Sequence, residues 1–290
     1  MAEGYNRASL PQDPNPLEEQ LVKRTHSMPL LVLVAVLLAA ADQIAGAADD
    51  AADVRPIRGL LVTGGCCHDY DTQKELIPQG ISARANVEWK VVHQGGDSRD
   101  AMIELYKDPN WAEGFDVVVH NECFGSVEDA DFVEQIVRPH RDGGVAAVTI
   151  HCSTHSYRAV ATDEWRKLLG VSSYSHERHR PFEVVNLESK HPVMLGFPAK
   201  WKTPNGELYK IEKLWDNTRP LAHAFGEDTQ ADHVCVWVNQ YGQARVFGTT
   251  IGHHNETIEH PVYMDLLTRG LLWSVGNLGE DGKPKPGYGK

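Results

Sequence analysis

Phe115-Asp116-Val117-Val118-Val119-His120 and Gly144-Val145-Ala146-Ala147-Val148-Thr149-Ile150-His151 are short apolar runs separated by a helical stretch from Asp129 to Arg138. A strand with water on one face alternates apolar and polar residues. An unbroken apolar run belongs to a strand covered on both faces, as in a parallel sheet between two helix layers. Ile57 to Thr63, ending in Gly64-Gly65, and Val87 to His93 supply two earlier strands, with helical stretches at Asp71 to Arg84 and Asp97 to Lys107. Strands and helices alternating at this spacing predict βαβ units. The fold class is therefore α/β, a three-layer sandwich with a mostly parallel central sheet. In the second half, Phe182 to Leu187, Leu221 to Ala224, Val234 to Asn239 and Ala244 to Thr250 read as strands joined by turns, followed by an amphipathic helix from Pro261 to Val275. No repeat or linker interrupts residues 56–278, which form one domain; the Gly-, Pro- and Lys-rich tail 279–290 is expected to fray.

The first 47 residues stand apart from this pattern. Lys23 and Arg24 precede an apolar run from Pro29 to Ala41, and Ala45-Gly46-Ala47 offers small residues suited to a signal peptidase. This predicts a signal peptide cleaved after Ala47 and a periplasmic or secreted product. The run is too short to span the ~30 Å hydrocarbon core, so no stable membrane insertion is expected after cleavage. Met28 opens a conventional signal peptide and is a candidate for the true start. Cleavage leaves 25 basic and 35 acidic side chains, a charge of −10 against −12 for the whole chain. Such an acidic protein lacks the basic footprint that phosphate backbones require, so nucleic acid is not an expected partner. The sequence leaves self-association into a homo-oligomer open. Among the five cysteines there is no CxxC pair and no regular spacing, so neither a zinc ribbon nor a disulfide framework is predicted. The neighbours Cys66 and Cys67 are not expected to pair with each other.

In open α/β sheets, ligands bind beyond the carboxyl ends of the strands. The first strand runs into Cys66-Cys67-His68-Asp69-Tyr70, the third into His120-Asn121-Glu122-Cys123 and the fourth into His151-Cys152-Ser153-Thr154-His155. The late strand runs into Ile251-Gly252-His253-His254-Asn255-Glu256. Four strand ends thus deliver histidines to one edge. Histidine serves as general acid, general base or metal ligand near neutral pH. Glu122 and Glu207 supply carboxylates, and Asp69 is placed to orient an imidazole. A divalent metal such as zinc is one use of such a set, although no HExxH helix is present. Cys152 lies where an α/β nucleophile elbow would put its thiol, but the flanking glycines of that elbow are missing; the bland alternative is a small buried hydrophobe. Gly64-Gly65 reads as a tight turn or an anion cradle. Trp201, Trp215, Trp237 and Trp273 read as core residues or sugar-stacking surfaces. His176, Arg178, His179 and Arg180 are a basic cluster that suits an anionic group or simply a solvated loop.

Seven short motifs recur in order in one family: Gly64-Gly65-x2-His68-Asp69, Gly144-x5-Ile150-His151, His191-Pro192-x3-Gly196, Gly206-Glu207-Leu208-Tyr209, Tyr241-Gly242-x2-Arg245-Val246-Phe247, Gly252-His253 and Gly270-Leu271-Leu272-Trp273. On these, the chain resembles the ThuA-like (trehalose utilisation) family from about Arg58 to Asn277. The resemblance implies a flavodoxin-like, class I glutamine amidotransferase-like sheet, a role in disaccharide or keto-sugar metabolism, and a small carbohydrate as partner. The family generally lacks the amidotransferase Cys-His-Glu triad. Three functions follow as expectations. The first is a carbohydrate enzyme with His68, Asp69, Glu122, His151 and His253 as catalytic or ligand residues and His155, Arg158, Glu207, Tyr209 and His254 on the substrate. The second is a Cys152-dependent hydrolase or amidotransferase. The third is a non-catalytic sugar-binding protein.

Overall fold

The computed structural model describes residues 54–290. The expected signal peptide, its cleavage point and the Met28 start lie outside the described residues. Five strands form the parallel half of a nine-stranded sheet: β1 (Ile57–Gly65), β2 (Val87–His93), β3 (Val117–Cys123), β4 (Ala146–Ile150) and β11 (Ala244–Thr249). The antiparallel half contains β6 (Glu183–Asn186), β7 (Lys200–Lys202), β9 (Arg219–Gly226) and β10 (Ala231–Tyr241). The full order is β2-β1-β3-β4-β11-β10-β9-β6-β7. Its parallel half has the flavodoxin order, which reverses direction between β1 and β3 and opens a crevice there. A separate antiparallel pair, β5 (Val171–His176) and β8 (Tyr209–Leu214), stands over that edge.

Helices α1 (Tyr70–Ser82), α2 (Ala130–Arg141), α3 (Glu164–Leu169), α4 (Asn255–Ile258) and α5 (Pro261–Ser274) complete the layers. The two faces of the sheet carry separate cores. One centres on Leu61, Val119, Val148 and Phe247 under α1 and α5; the other centres on Val62, Val118, Ala147 and Trp237 under α2 and α3. Adjacent residues of β1, β3 and β4 therefore face opposite cores, which is why these strands read as continuous apolar runs. Gly64 and Gly65 have φ of +135° and +97°, and a side chain on either would collide with the backbone of Gln94 or Cys123. The pair is a tight, close-packed strand exit rather than an anion cradle.

Three expectations are corrected. The Asp97–Lys107 stretch forms only a short 3-10 turn over Glu104–Lys107. Upstream, Ser98 donates to Asp100 and accepts from its backbone N–H, local bonds that compete with a helix. The tail is tied down instead of frayed: Asn86 and Lys290 donate backbone N–H groups to the carbonyls of Tyr288 and Arg84, and Gly287 packs against Val54. The cysteines also pair, Cys66 with Cys67 and Cys123 with Cys152, leaving Cys235 free and buried. Cys123 ends β3 and Cys152 lies two residues beyond the end of the adjacent parallel strand β4, with Cα atoms 5.4 Å apart, a proximity that sequence spacing does not reveal. Among the described residues, no helix is long and apolar enough to cross a membrane.

Candidate functional site

Four elements converge at the carboxyl edge of the parallel strands. The β1–α1 loop carries His68, the residue after β4 is His151, the loop before β8 carries Glu207, and the β11–α4 loop carries His253. Their ligating atoms all lie within 4.8 Å of one another. His151 Nε2 is 3.2 Å from both His253 Nδ1 and Glu207 Oε2, and the last two are 3.5 Å apart. A tetrahedral ion with bonds of about 2.0–2.1 Å has ligand–ligand edges of about 3.3–3.4 Å. The observed separations match that figure.

The tautomers fit the same arrangement. His151 Nδ1–H donates to the Thr250 carbonyl at 2.7 Å, so its Nε2 carries a free electron pair. That pair faces a carboxylate oxygen, and two electron-pair donors 3.2 Å apart are held together by a cation between them, a proton or a metal. His68 Nδ1 lies 3.3 Å from the Cys66 carbonyl oxygen and 3.1 Å from the Tyr70 hydroxyl, while its buried Nε2 has no partner. Burial, then the neighbouring His151 and His253, push the His68 imidazole down to a pKa of about 2; burial also lowers His151. Both rings are therefore neutral and available as ligands at physiological pH.

Glu207 is oriented from behind. Its Oε1 accepts from His179 Nε2 at 2.8 Å and lies 3.1 Å from His176 Nδ1, which leaves Oε2 for His151 and His253. Burial opposes ionisation of Glu207, but the adjoining His151 and His253 imidazoles outweigh it and hold the carboxyl below the usual carboxylate range. Outer partners of this kind fix ligand geometry. His151 adopts φ +45° immediately after β4, a strained position of the sort found at functional sites. The elbow-like residue at the end of this strand is thus His151, and Cys152 beside it is bonded to Cys123. The Cys152 nucleophile is corrected on that ground.

These groups border a cavity of about 180 Å3 whose lining includes His68, Glu207, His253, His155, Tyr209, Arg99 and Arg158. All four half-cystines line it as well. His155 stacks on Tyr209 with ring centroids 3.9 Å apart, and its Nε2 pairs with Ser173 Oγ at 3.0 Å. The Tyr209 hydroxyl stands 3.4 Å from His151 Nε2. A groove lined by His68, Asp69, Asp97, His253, His254 and Asn255 shares His68 and His253 with the cavity.

Of the residues singled out from sequence, His68, His151, His253 and Glu207 meet, with His155, Arg158 and Tyr209 around them. Glu207, expected as a carboxylate and as a substrate contact, stands among the potential ligands. Asp69 instead caps α1 through the Thr72 N–H and accepts from Asn255 Nδ2 at 2.7 Å, joining the two histidine loops. His254 lies outside, packed edge-on against His253. Glu122 is away from the cavity because β3 runs three residues beyond the expected His120 end. His120 and Glu122 therefore point into the sheet's interior, where Glu122 Oε1 accepts from Tyr106 at 3.0 Å and pairs with His120 at 2.9 Å. No tryptophan lines the cavity. His176, His179, Arg99, Cys66, Cys67 and Cys123 are site residues that the sequence does not single out; the His176–Arg180 cluster is the available signal, and it divides. Its histidines go to Glu207, while Arg178 pairs with Glu227 and Arg180 with Glu177.

The model of the ThuA family, described as trehalose utilisation, matches residues 64–274. Among solved structures, a ThuA-like protein from Parabacteroides merdae ATCC 43184 aligns with TM-score 0.64 at 19% identity, covering 81% of this chain and 97% of its own. A ThuA-like protein from Bacteroides uniformis ATCC 8492 aligns with TM-score 0.59 at 14% identity, covering 80% and 96%. These likenesses concern the fold alone. No curated protein matches the chain.

Proposed function

The chain belongs to the ThuA family, and from that premise we propose that it is an exported, metal-dependent enzyme of carbohydrate metabolism. Its divalent ion, zinc in the first instance, is held by His68, His151, His253 and Glu207. The observation that carries this is the set of 3.2, 3.2 and 3.5 Å separations among His151, His253 and Glu207, with the unpartnered His68 Nε2 beside them. Imidazole and carboxylate donors suit zinc and its neighbours in the first transition row. A bound ion would polarise a sugar carbonyl or hydroxyl, or activate a water. Around it, Tyr209 offers a hydroxyl for proton exchange, its ring orientation fixed by the stacked His155. The family description, trehalose utilisation, supports a disaccharide as substrate, and the sequence resemblance adds keto-sugars to the candidates.

The test is elemental analysis of chelator-dialysed protein before and after zinc is returned, alongside turnover of a disaccharide and keto-sugar panel. About one equivalent of zinc in wild type, lost in His253→Ala together with turnover, is the expected result. A wild type that stays metal-free, or a His253→Ala protein with wild-type turnover, overturns the proposal.

A further inference from the structure

Arg99 and Arg158 both line the cavity, on either side of the Gly125-Ser126 turn. The backbone pins both segments to that turn: Ser126 N–H donates to the Arg99 carbonyl at 2.8 Å and Ala159 N–H to the Gly125 carbonyl at 3.2 Å. The Arg158 side chain rests on Gly125 and spends one N–H on the Tyr174 carbonyl at 3.1 Å. Neither guanidinium forms an ion pair with a carboxylate among the described residues, whereas nearby Arg178 and Arg180 pair with Glu227 and Glu177. The cavity lining contains one carboxylate, Glu207, already turned towards histidines. A chain of charge −12 thus keeps two uncompensated cations at the mouth of this histidine-lined cavity. Such a concentration of positive charge in a cleft attracts and holds an anion.

We propose that the sugar bound here is negatively charged, its anionic substituent gripped by Arg99 and Arg158. The paired fork geometry of guanidinium groups suits carboxylate or phosphate oxygens. At about 180 Å3 the cavity is smaller than the ~300–1,000 Å3 of drug-sized sites and takes a single sugar ring. The disulfide sulfurs give that ring an apolar wall. The adjoining groove, with Asp69 and Asp97, suits the hydroxyls of an uncharged second ring. The charged ring therefore lies innermost. This inference rests on the carbohydrate reading of the cavity but not on the metal.

The experiment is calorimetric titration of zinc-loaded and chelator-treated protein with glucuronate, galacturonate, glucose 6-phosphate and glucose. It is repeated on Arg99→Gln, Arg158→Gln and the charge-keeping Arg99→Lys and Arg158→Lys, with melting temperature and zinc content read on each. At least about tenfold tighter binding of an anionic sugar than of glucose is expected, lost in either glutamine variant and partly kept in the lysine variants. Preference for a uronate identifies the anion as carboxylate, and preference for glucose 6-phosphate identifies it as phosphate. Equal affinity for glucose, no binding of any anionic sugar, or folded glutamine variants that keep the preference overturns the inference. A preference that survives in a protein unable to take up zinc supports this inference and removes the metal proposal.

Discussion

The Nδ1–H of His151 donates to the carbonyl oxygen of Thr250 at 2.7 Å, so the end of β11 dictates which nitrogen at the end of β4 is free. Two strands that pair only as neighbours in the sheet also set the tautomer of a buried imidazole between them. Nitrogen-15 NMR of the histidine-labelled protein should therefore show His151 protonated at Nδ1 and bare at Nε2, with the Nε2 resonance shifting when zinc is added. A proton on Nε2 in the neutral ring would contradict the arrangement.

His179 does not belong to the four-ligand set, yet it holds the far oxygen of Glu207 at 2.8 Å. His179→Ala should weaken zinc binding by about 10- to 100-fold, the usual effect of removing an outer partner. The melting temperature should move little, because about half of the His179 side chain is exposed. Unchanged zinc affinity would show that Glu207 is oriented without it.

Glu177 supplies a pH-dependent clamp on the Glu227–Thr229 turn. Its carboxylate accepts backbone N–H bonds from Glu227, Asp228 and Thr229 and a bond from Arg180. Burial works against ionisation, but these donors prevail and pull the pKa from 4.5 to about 2. A folded-state pKa below the unfolded one stabilises above the unfolded pKa, and the gain is lost as pH falls through the folded pKa. The difference corresponds to about 3 kcal/mol. In denaturant titrations, Glu177→Gln should be less stable than wild type by about 2–3 kcal/mol at pH 7. That gap should narrow between pH 4.5 and 2. A gap independent of pH would sink the assignment.

Gly270 lies inside α5, where alanine would ordinarily favour the helix by about 1 kcal/mol. A side chain there would strike the ring of Phe247 on β11. Gly270→Ala should thus cost about 1–3 kcal/mol by chemical denaturation, the range for overpacked cores. A stabilised variant would mean that the helix can shift off the sheet.

The sulfur assignment is open to counting by mass. Alkylation without reductant should label no cysteine in the folded protein and Cys235 alone after unfolding. A label on Cys152 under either condition would return its thiol to the candidates for catalysis.

The parallel half of the fold was legible because burial on both faces leaves a direct mark: Val117-Val118-Val119 and Ala146-Ala147-Val148 have no polar face. The antiparallel pair β5–β8 was not, since Val171–His176 is half exposed and Tyr209–Leu214 carries charges, so neither has the alternation that marks a strand. In the site, the strand-end rule picked out His68, His151 and His253. It misplaced Glu122 because one valine run does not reveal where its strand stops, and a shift of a few residues moves a side chain from the edge to the interior. His179 and the disulfides depend on loops that meet only in three dimensions, and local sequence holds no record of such meetings.

Val54 packs against Gly287 at the amino edge of the parallel strands, and the cavity opens at the opposite, carboxyl edge. Both exits of the described domain therefore share one pole. A short linker joining Lys290 to Val54 would close the chain there, and new termini could be opened in an exposed turn such as Glu227–Thr229. A tether or fusion partner placed at either exit of the described domain would leave the cavity facing outward.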